Sequence, residues 1–260
     1  MSSRDNDFLD EKILKKLDRQ VQRISDRAGF DRKTEAEVFD KPTLHTLEKM
    51  ISDRIIDIVD FPISTGKEGN IFRAVTPDDE FLAVKIYRVS TSTFKHISKY
   101  IVGDPRFEEL HQNRRNLVYA WTQKEFKNLQ LLDKAGVLAP KPIKSLNNVL
   151  LMEYIGTKER PAPLLKEIKI NNPSEIFEEI VNYMALMYQE INLVHADLSP
   201  FNILMHNDKP YLIDLGQAVM LDHFNSDEFL RRDIHNIVSY FKKYNIKKDE
   251  DKIYKQVICK

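Results

Sequence analysis

The chain has 260 residues, 42% hydrophobic and 31% charged, enough for one large domain or for two lobes sharing a cleft. Its 40 basic side chains balance 40 acidic ones, which removes any chain-wide attraction to nucleic acid or membrane and leaves only local clusters. The single cysteine, Cys259, excludes a disulfide framework and a cysteine-held metal; with no signal peptide or membrane-spanning run in view, a cytoplasmic protein with no membrane partner is expected.

Residues 8–27 place Leu9, Ile13, Leu17, Val21 and Ile24 at helical spacing, and residues 43–59 repeat the pattern with Leu44, Leu47, Met50, Ile51, Ile55 and Ile58. Both read as amphipathic helices, forming a helical extension packed on the main body. Next comes P-I-S-T-G-K-E-G-N-I-F, with Gly66 and Gly69 between short apolar strands. A glycine turn of this kind lets backbone N–H groups approach phosphate oxygens. In the strand F-L-A-V-K-I-Y, Lys85 shares a face with Ala83 and Tyr87. An ammonium in an apolar run has to snorkel out or meet an anion.

Residues 89–115, with Ser90, Thr91, Ser92, Thr93 and Ser98, lack a clear period and read in part as a loop. A helix from about Asn116 to Lys134 follows. Its apolar stripe of Leu117, Val118, Trp121, Leu129 and Leu132 has Glu125 in the middle and Lys124 outside. A carboxylate on a buried face needs a cation as the lysine needs an anion, so a Lys85–Glu125 pair is the simplest resolution. Gly136 closes the helix. Two strands follow, around Ile143 and at Val149–Met152, and E-Y-I-G reads as a hinge.

Asn172-Pro173-Ser174-Glu175 is a helix start, leading into the stretch that carries the chemistry: L-V-H-A-D-L-S-P-F-N-I-L-M, a polar turn, then Y-L-I-D-L-G. Ile203–Met205 and Tyr211–Ile213 have strand length, and H-N-D-K-P joins them tightly, so a β-hairpin is expected. A hairpin sets Asn202 beside Asp214, and an amide and a carboxylate oxygen side by side suit a hard cation such as Mg2+. Asp197 is then within reach of whatever the cation holds. Ser226 is expected to cap a last strong helix carrying Asp233. The basic clusters Arg114/Arg115 and Lys242/Lys243/Lys247/Lys248 could touch RNA, with solvated charge the plainer reading.

Glycine turn, strand lysine, helix glutamate, hinge, H-x-D-x-x-x-x-N and D-x-G, in that order, make up the parts of a protein-kinase-like phosphotransferase. The wording goes further: S-T-G-K-E-G-N-I-F, L-A-V-K-I-Y-R, L-M-E-Y-I-G, H-A-D-L-S-P-F-N-I-L and L-I-D-L-G-Q-A closely resemble the RIO atypical serine/threonine kinases, first subfamily, over roughly residues 60–245. The resemblance implies an α+β, truncated bilobal kinase fold: a helical extension at 1–60, an N-lobe at 61–152, and a hinge with a shortened, mostly helical C-lobe at 153–260. It implies that Ser64, Thr65, Gly66, Lys67, Glu68, Gly69 and Asn70 cover the phosphates of ATP. Lys85 would contact the α- and β-phosphates and Glu125 would orient it, while Glu153 and Ile155 bind adenine through their main chain. Asp197 would be the catalytic aspartate, with Asn202 and Asp214 ligating Mg2+ (or Mn2+ in its place), and Asp233 would brace the catalytic loop, a simple exposed charge being the alternative for it.

The same resemblance implies serine autophosphorylation, with Ser92 one candidate. It also implies ATP hydrolysis through an aspartyl-phosphate on Asp214, and action on the pre-small-subunit ribosomal particle, protein and rRNA. Two departures from ordinary kinases stand out. The phosphate turn is not G-x-G-x-x-G, and Ser199 stands where a γ-phosphate lysine is usual. Two other readings remain: a small-molecule kinase of the aminoglycoside or choline type, and a nucleotide-gated scaffold with little catalysis.

Overall fold

A computed structural model describes residues 3–66, 69–89, 100 and 114–259. These fall into two compact units, the first from residues 3–66, 69–89, 114–123 and 142–154, the second from 100, 124–141 and 155–259. The expectations for Lys67, Glu68 and Ser92, for most of the 89–115 loop and for the side chain of Leu9 lie outside the described residues.

The first unit opens with three helices, α1 (Ser3–Ala28), α2 (Arg32–Val38) and α3 (Lys41–Ser52). The periodicity missed α2, a short helix started by Asp31, whose carboxylate accepts from the Thr34 N–H at 2.6 Å. It also ran the next helix too far. Asp53 and Arg54, the latter with φ 56°, turn the chain after Ser52, and the Ile55 N–H returns to the Met50 carbonyl at 3.0 Å. Ile58 therefore starts a strand rather than continuing a helix.

Five antiparallel strands follow: β1 (Ile58–Thr65), β2 (Gly69–Val75), β3 (Phe81–Tyr87), β4 (Pro142–Leu146) and β5 (Val149–Glu153), in the order β1-β2-β3-β5-β4. Strand alternation gives the sheet two faces. Phe72, Ala74, Leu82, Val84, Ile86, Val149 and Leu151 pack with Leu17, Val21 and Ile24 of α1 and Leu47, Met50 and Ile51 of α3 in one apolar core. Burying this face is what fixes the strand register, since a one-residue slip would turn it outward.

The helix α4 (Arg114–Ala135) divides between the units after residue 123. The expected stripe is buried, but so are Thr122, Lys124 and Asn128. Lys124 was expected outside the stripe; it is instead fully buried, its ammonium donating to the Tyr100 carbonyl at 3.1 Å. A helix covered on more than one side does not show its surroundings as a single stripe, and the lysine stem buries readily once its head is hydrogen-bonded.

The second unit continues with α5 (Pro173–Ile191), β6 (Leu193–Val194), β7 (Ile203–His206), β8 (Lys209–Leu212), β9 (Val219–Met220), α6 (Ser226–Phe241) and α7 (Glu250–Ile258). Asn172 precedes α5 as expected but makes no side-chain cap bond; its amide donates to the Glu175 carboxylate at 3.3 Å. Ser226 is not the cap of α6 but its first residue, and its hydroxyl donates to the Leu221 carbonyl. The basic residues expected in solvent are partly engaged: Arg115 pairs with Asp40 at 3.1 Å, and Lys248 with Glu178 at 2.6 Å. No helix among the described residues is long and apolar enough to cross a membrane.

Candidate active site

The β7–β8 hairpin forms as expected, with a tighter turn than the sequence suggested. Asn207 and Asp208 both take positive φ, 50° and 58°, the two-residue geometry that matches strand twist. Ile203 pairs with Leu212, and one step out the Ile213 N–H donates to the Asn202 carbonyl at 3.0 Å. Asn202 is thereby held alongside the residue that precedes Asp214. The Asn202 amide donates to the Asp197 carbonyl at 2.8 Å and to the Asp197 carboxylate at 3.0 Å. Both donations use Nδ2, so the amide oxygen is the group left for a cation.

Asp197 and Asp214 are close enough to feel one another. Burial first, and then the Asp214 charge, hold the Asp197 carboxyl above its ordinary value, against the opposing Asn202 bond and Arg232. Asp214 itself sits at φ 64°, a left-handed conformation costly for a non-glycine residue and common at sites of chemistry. Two interacting carboxylates, with the Asn202 amide bonded to one of them, make a negative site that a divalent cation would offset. An amide oxygen and a carboxylate are donors of the kind Mg2+ takes, and Asn202 and Asp214 are the residues that would hold one; a bound Mg2+ would supply charge neutralisation.

This loop is held from behind. Asp233 on α6, only 1% exposed, accepts from the N–H groups of Ala196 at 2.8 Å and Leu198 at 2.9 Å. Burial pushes its carboxyl up to about 8, against those two bonds. The structure thus makes Asp233 a brace and not an exposed charge. Arg232 donates to the Ala196 carbonyl, and Asn236 to the Leu198 carbonyl at 3.1 Å. His195 donates from Nε2 to the Ile213 carbonyl at 3.1 Å. Since a carbonyl can only accept, Nδ1 is the unprotonated nitrogen. Burial pushes this imidazole down to about 4. Just after Asp214 in the chain, the Leu215 carbonyl accepts from Asn128 of α4 at 2.8 Å.

Sequence reasoning missed Arg232, Asn236 and Asn128. A signal existed for each. Arg232 and Asn236 flank Asp233 at one and three positions on the same helix, and Asn128 is an amide one turn from Glu125 on the α4 stripe. Ser199 is half-buried; its carbonyl accepts from the Asn202 N–H at 2.9 Å and its hydroxyl from the Phe201 N–H at 3.3 Å. Its hydroxyl is thus already used within the loop.

In the first unit, Lys85 is 7% exposed and lies 4.9 Å from the Tyr87 ring centroid, on the strand face opposite the helix-covered one. Ala83 shares that face, as do Ile71, Leu150 and Met152 by cross-strand register. Glu125 is 1% exposed. Ser64, Thr65, Gly66 and Gly69 form the end of the β1–β2 hairpin, with Thr65 opposite Asn70 and the Gly66 N–H donating to the Gly69 carbonyl at 3.0 Å. Asn70 departs from expectation. Its side chain is fully buried on the helix-covered face with Phe72 and accepts from Arg88 at 3.4 Å, away from the strand face that carries Lys85. Glu153 ends β5 with its side chain on the helix-covered face, opposite Leu82. The Ile155 carbonyl accepts from the Ala162 N–H at 2.9 Å.

A family model described as the RIO domain matches residues 70–253. The RIO-type serine/threonine-protein kinase Rio1 of Haloferax volcanii is 41% identical over 251 residues, covering 95% of this chain and 86% of its own. Rio1 of Thermoplasma acidophilum is 47% identical over 183 residues, 70% of this chain and 96% of its own. Among solved structures, the Rio2 kinase-ADP/Mg2+-phosphoaspartate complex from Chaetomium thermophilum matches with a TM-score of 0.65 at 18% identity, over 84% of this chain and 66% of that one. At that identity the likeness speaks to fold alone, and the fold is the α+β, protein-kinase-like one. This chain belongs to the RIO family of atypical serine/threonine-protein kinases, alongside its Rio1 members.

Proposed function

We propose that the chain binds Mg-ATP and works as a slow kinase and ATPase in maturation of the small ribosomal subunit, in the cytoplasm. The observation that carries the chemistry is the joining of Asp197, Asn202 and Asp214 around one hairpin mouth, with the Asn202 amide bonded to the Asp197 carboxylate at 3.0 Å. Lys85 and Glu125 supply the second half. Glu125 orients the Lys85 ammonium, which meets the α- and β-phosphates. The turn at Ser64–Gly66 and Gly69–Asn70 covers the phosphates with main-chain N–H groups. Adenine meets the Glu153 carbonyl and the Ile155 N–H, the Ile155 carbonyl being already engaged.

Asp197 positions the attacking hydroxyl and takes its proton; a raised carboxyl value makes it a better base for that step. The γ-phosphoryl group passes to a serine hydroxyl, releasing ADP, or to the Asp214 carboxylate, from which water later releases phosphate. The Haloferax and Thermoplasma relatives are named as serine/threonine kinases, which supports the first route. A serine at position 199, its hydroxyl accepting within the loop, in place of a lysine reaching the γ-phosphate, supports slow transfer.

Incubation with γ-labelled ATP and Mg2+ tests the reading. Protein-bound label with slow phosphate release is expected, part of it labile to hydroxylamine as an acyl phosphate is. Binding without turnover would overturn it, as would label moving to an aminoglycoside or choline. Copurification with small-subunit precursors tests the ribosomal role.

A further inference from the structure

The N-terminal helices supply none of the groups just named, yet the corner between α2 and α3 is wired to the elements that do. Asp40 is the N-cap of α3. Its Oδ1 accepts from the Thr43 N–H at 2.9 Å and from the Thr43 hydroxyl at 2.5 Å. Its Oδ2 accepts from Arg115, at the start of α4, at 3.1 Å. The Thr43 oxygen in turn accepts from the Asn148 amide at 2.9 Å, and the same amide nitrogen donates to the carbonyl of Tyr87, also at 2.9 Å. Tyr87 is the last residue of β3, two positions after Lys85. Its N–H closes the loop by donating to the Asn148 carbonyl at 2.9 Å.

A parallel link lies beside this one. Glu37 at the end of α2 pairs with Arg88 at 3.7 Å, and Arg88 donates to Asn70, just past the glycine turn, at 3.4 Å. Thr43 and Asn148 are buried, so their bonds are not exchanged cheaply for water. One carboxylate thus reaches α4 directly and β3 through two side chains. A packed helix and a paired strand each move nearly as rigid bodies, so fixing one end of each constrains what they carry.

We propose that this corner is a positioning device for phosphoryl transfer, with Asp40 and Arg115 as positioning residues that hold the start of α4 and the end of β3 where Glu125 and Lys85 act. It rests on the kinase reading above. The helical extension then serves the reaction as well as the core: loosening it alters turnover without any loss of a group that touches ATP.

Asp40→Asn keeps the helix cap, since asparagine caps as well as aspartate, but removes the charge that holds Arg115. Arg115→Met removes the other partner, and Arg115→Lys restores a cation. The proposal expects kcat to fall roughly 3- to 30-fold in Asp40→Asn and Arg115→Met, the range of energetic coupling through packed networks. KM for Mg-ATP should stay within about twofold, Arg115→Lys should recover most of the loss, and the double variant should be no slower than Arg115→Met alone. Folded variants with wild-type kcat would overturn it, as would additive losses in the double variant or no rescue by lysine. A wild-type protein that binds but never turns over Mg-ATP would overturn the kinase reading first and this inference with it. An active wild type with indifferent variants would overturn this inference alone.

Discussion

The loop 195–202 in the second unit is gripped by side chains distant in sequence, whereas the described ends of the glycine turn in the first, Gly66 and Gly69, are joined by the main chain of their own hairpin. Asp233, Arg232 and Asn236 bind the backbone of Ala196 and Leu198, and His195 and Asn202 bind that of Ile213. The turn has the Gly66 N–H bond to the Gly69 carbonyl and the strand ladders on either side. The contrast follows the work each would do. Groups that handle protons and metal charge need fixed geometry, and their supporting shell supplies it. A cover over phosphates has to admit and release a nucleotide, and a locally held turn can move without disturbing the core.

The largest effect belongs to the gripped loop. Asp197→Asn should lower turnover by about 10²- to 10⁴-fold, the contribution of a positioned acid or base. It should not destabilise the fold, because the amide removes a carboxylate that burial and Asp214 both disfavour. Steady-state kinetics with thermal melting checks both halves; a variant that is slow only because it is unfolded would break the assignment. Next comes the brace. Asp233→Ala strands two buried N–H groups and should cost about 3 kcal/mol of stability, read by denaturant unfolding. Ser64→Ala, in the glycine turn, should cost under about 0.5 kcal/mol. Comparable losses at the two positions would erase the contrast.

The sequence made the hairpin, which sets Asn202 beside the residue that precedes Asp214, legible because strand length and turn chemistry are local signals. The burial of Lys85 and Glu125 was legible for a different reason: a charge among apolar neighbours at a regular period is conspicuous. What stayed hidden depends on contacts between distant residues. Only the family resemblance pointed Asp233 at the catalytic loop, since nothing within α6 alone says that it faces Ala196 and Leu198 rather than solvent, and nothing near Asn70 says that its amide turns toward Arg88. Lys124 misled for the same reason, as did Ile58, whose helical spacing continued past a turn set by Arg54. The α2–α3 corner was illegible altogether, since its meaning lies in bonds reaching from Asp40 to Arg115 and from Asn148 to Thr43.

A third test uses pH on the gripped side. The His195 imidazole sits near 4 in the folded protein and near 6.5 when unfolded. Between those values the unfolded chain binds the extra proton, so stability is full above about 6.5 and is lost as pH falls towards 4. The loss should be about 2 kcal/mol by pH 5. Urea unfolding in Mg2+-free buffer at pH 7.5 and 5.0 measures it, and His195→Phe should flatten the difference. An unchanged slope in that variant would mean that other groups carry the acid response.

The smallest effect sharpens the comparison on the glycine side, because the two glycines there are required for different reasons. A Cβ on Gly69 would lie 2.9 Å from the Ile86 carbonyl oxygen, backbone against backbone in the β2–β3 ladder. Gly69→Ala therefore has to spread the strand pair, and should cost about 1 kcal/mol of stability with or without nucleotide. On Gly66 the nearest atom is the Gly69 carbonyl oxygen at 3.1 Å, within the turn itself, and a turn held by its own hairpin can shift by the few tenths of an ångström needed. Gly66→Ala should leave the melting temperature of the ligand-free protein nearly unchanged and raise KM for Mg-ATP by a few-fold, since the methyl intrudes on the main-chain approach to phosphate. If instead Gly66→Ala destabilises the free protein as much as Gly69→Ala does, then both glycines answer to the sheet, and the turn is as firmly held as the loop that carries Asp197.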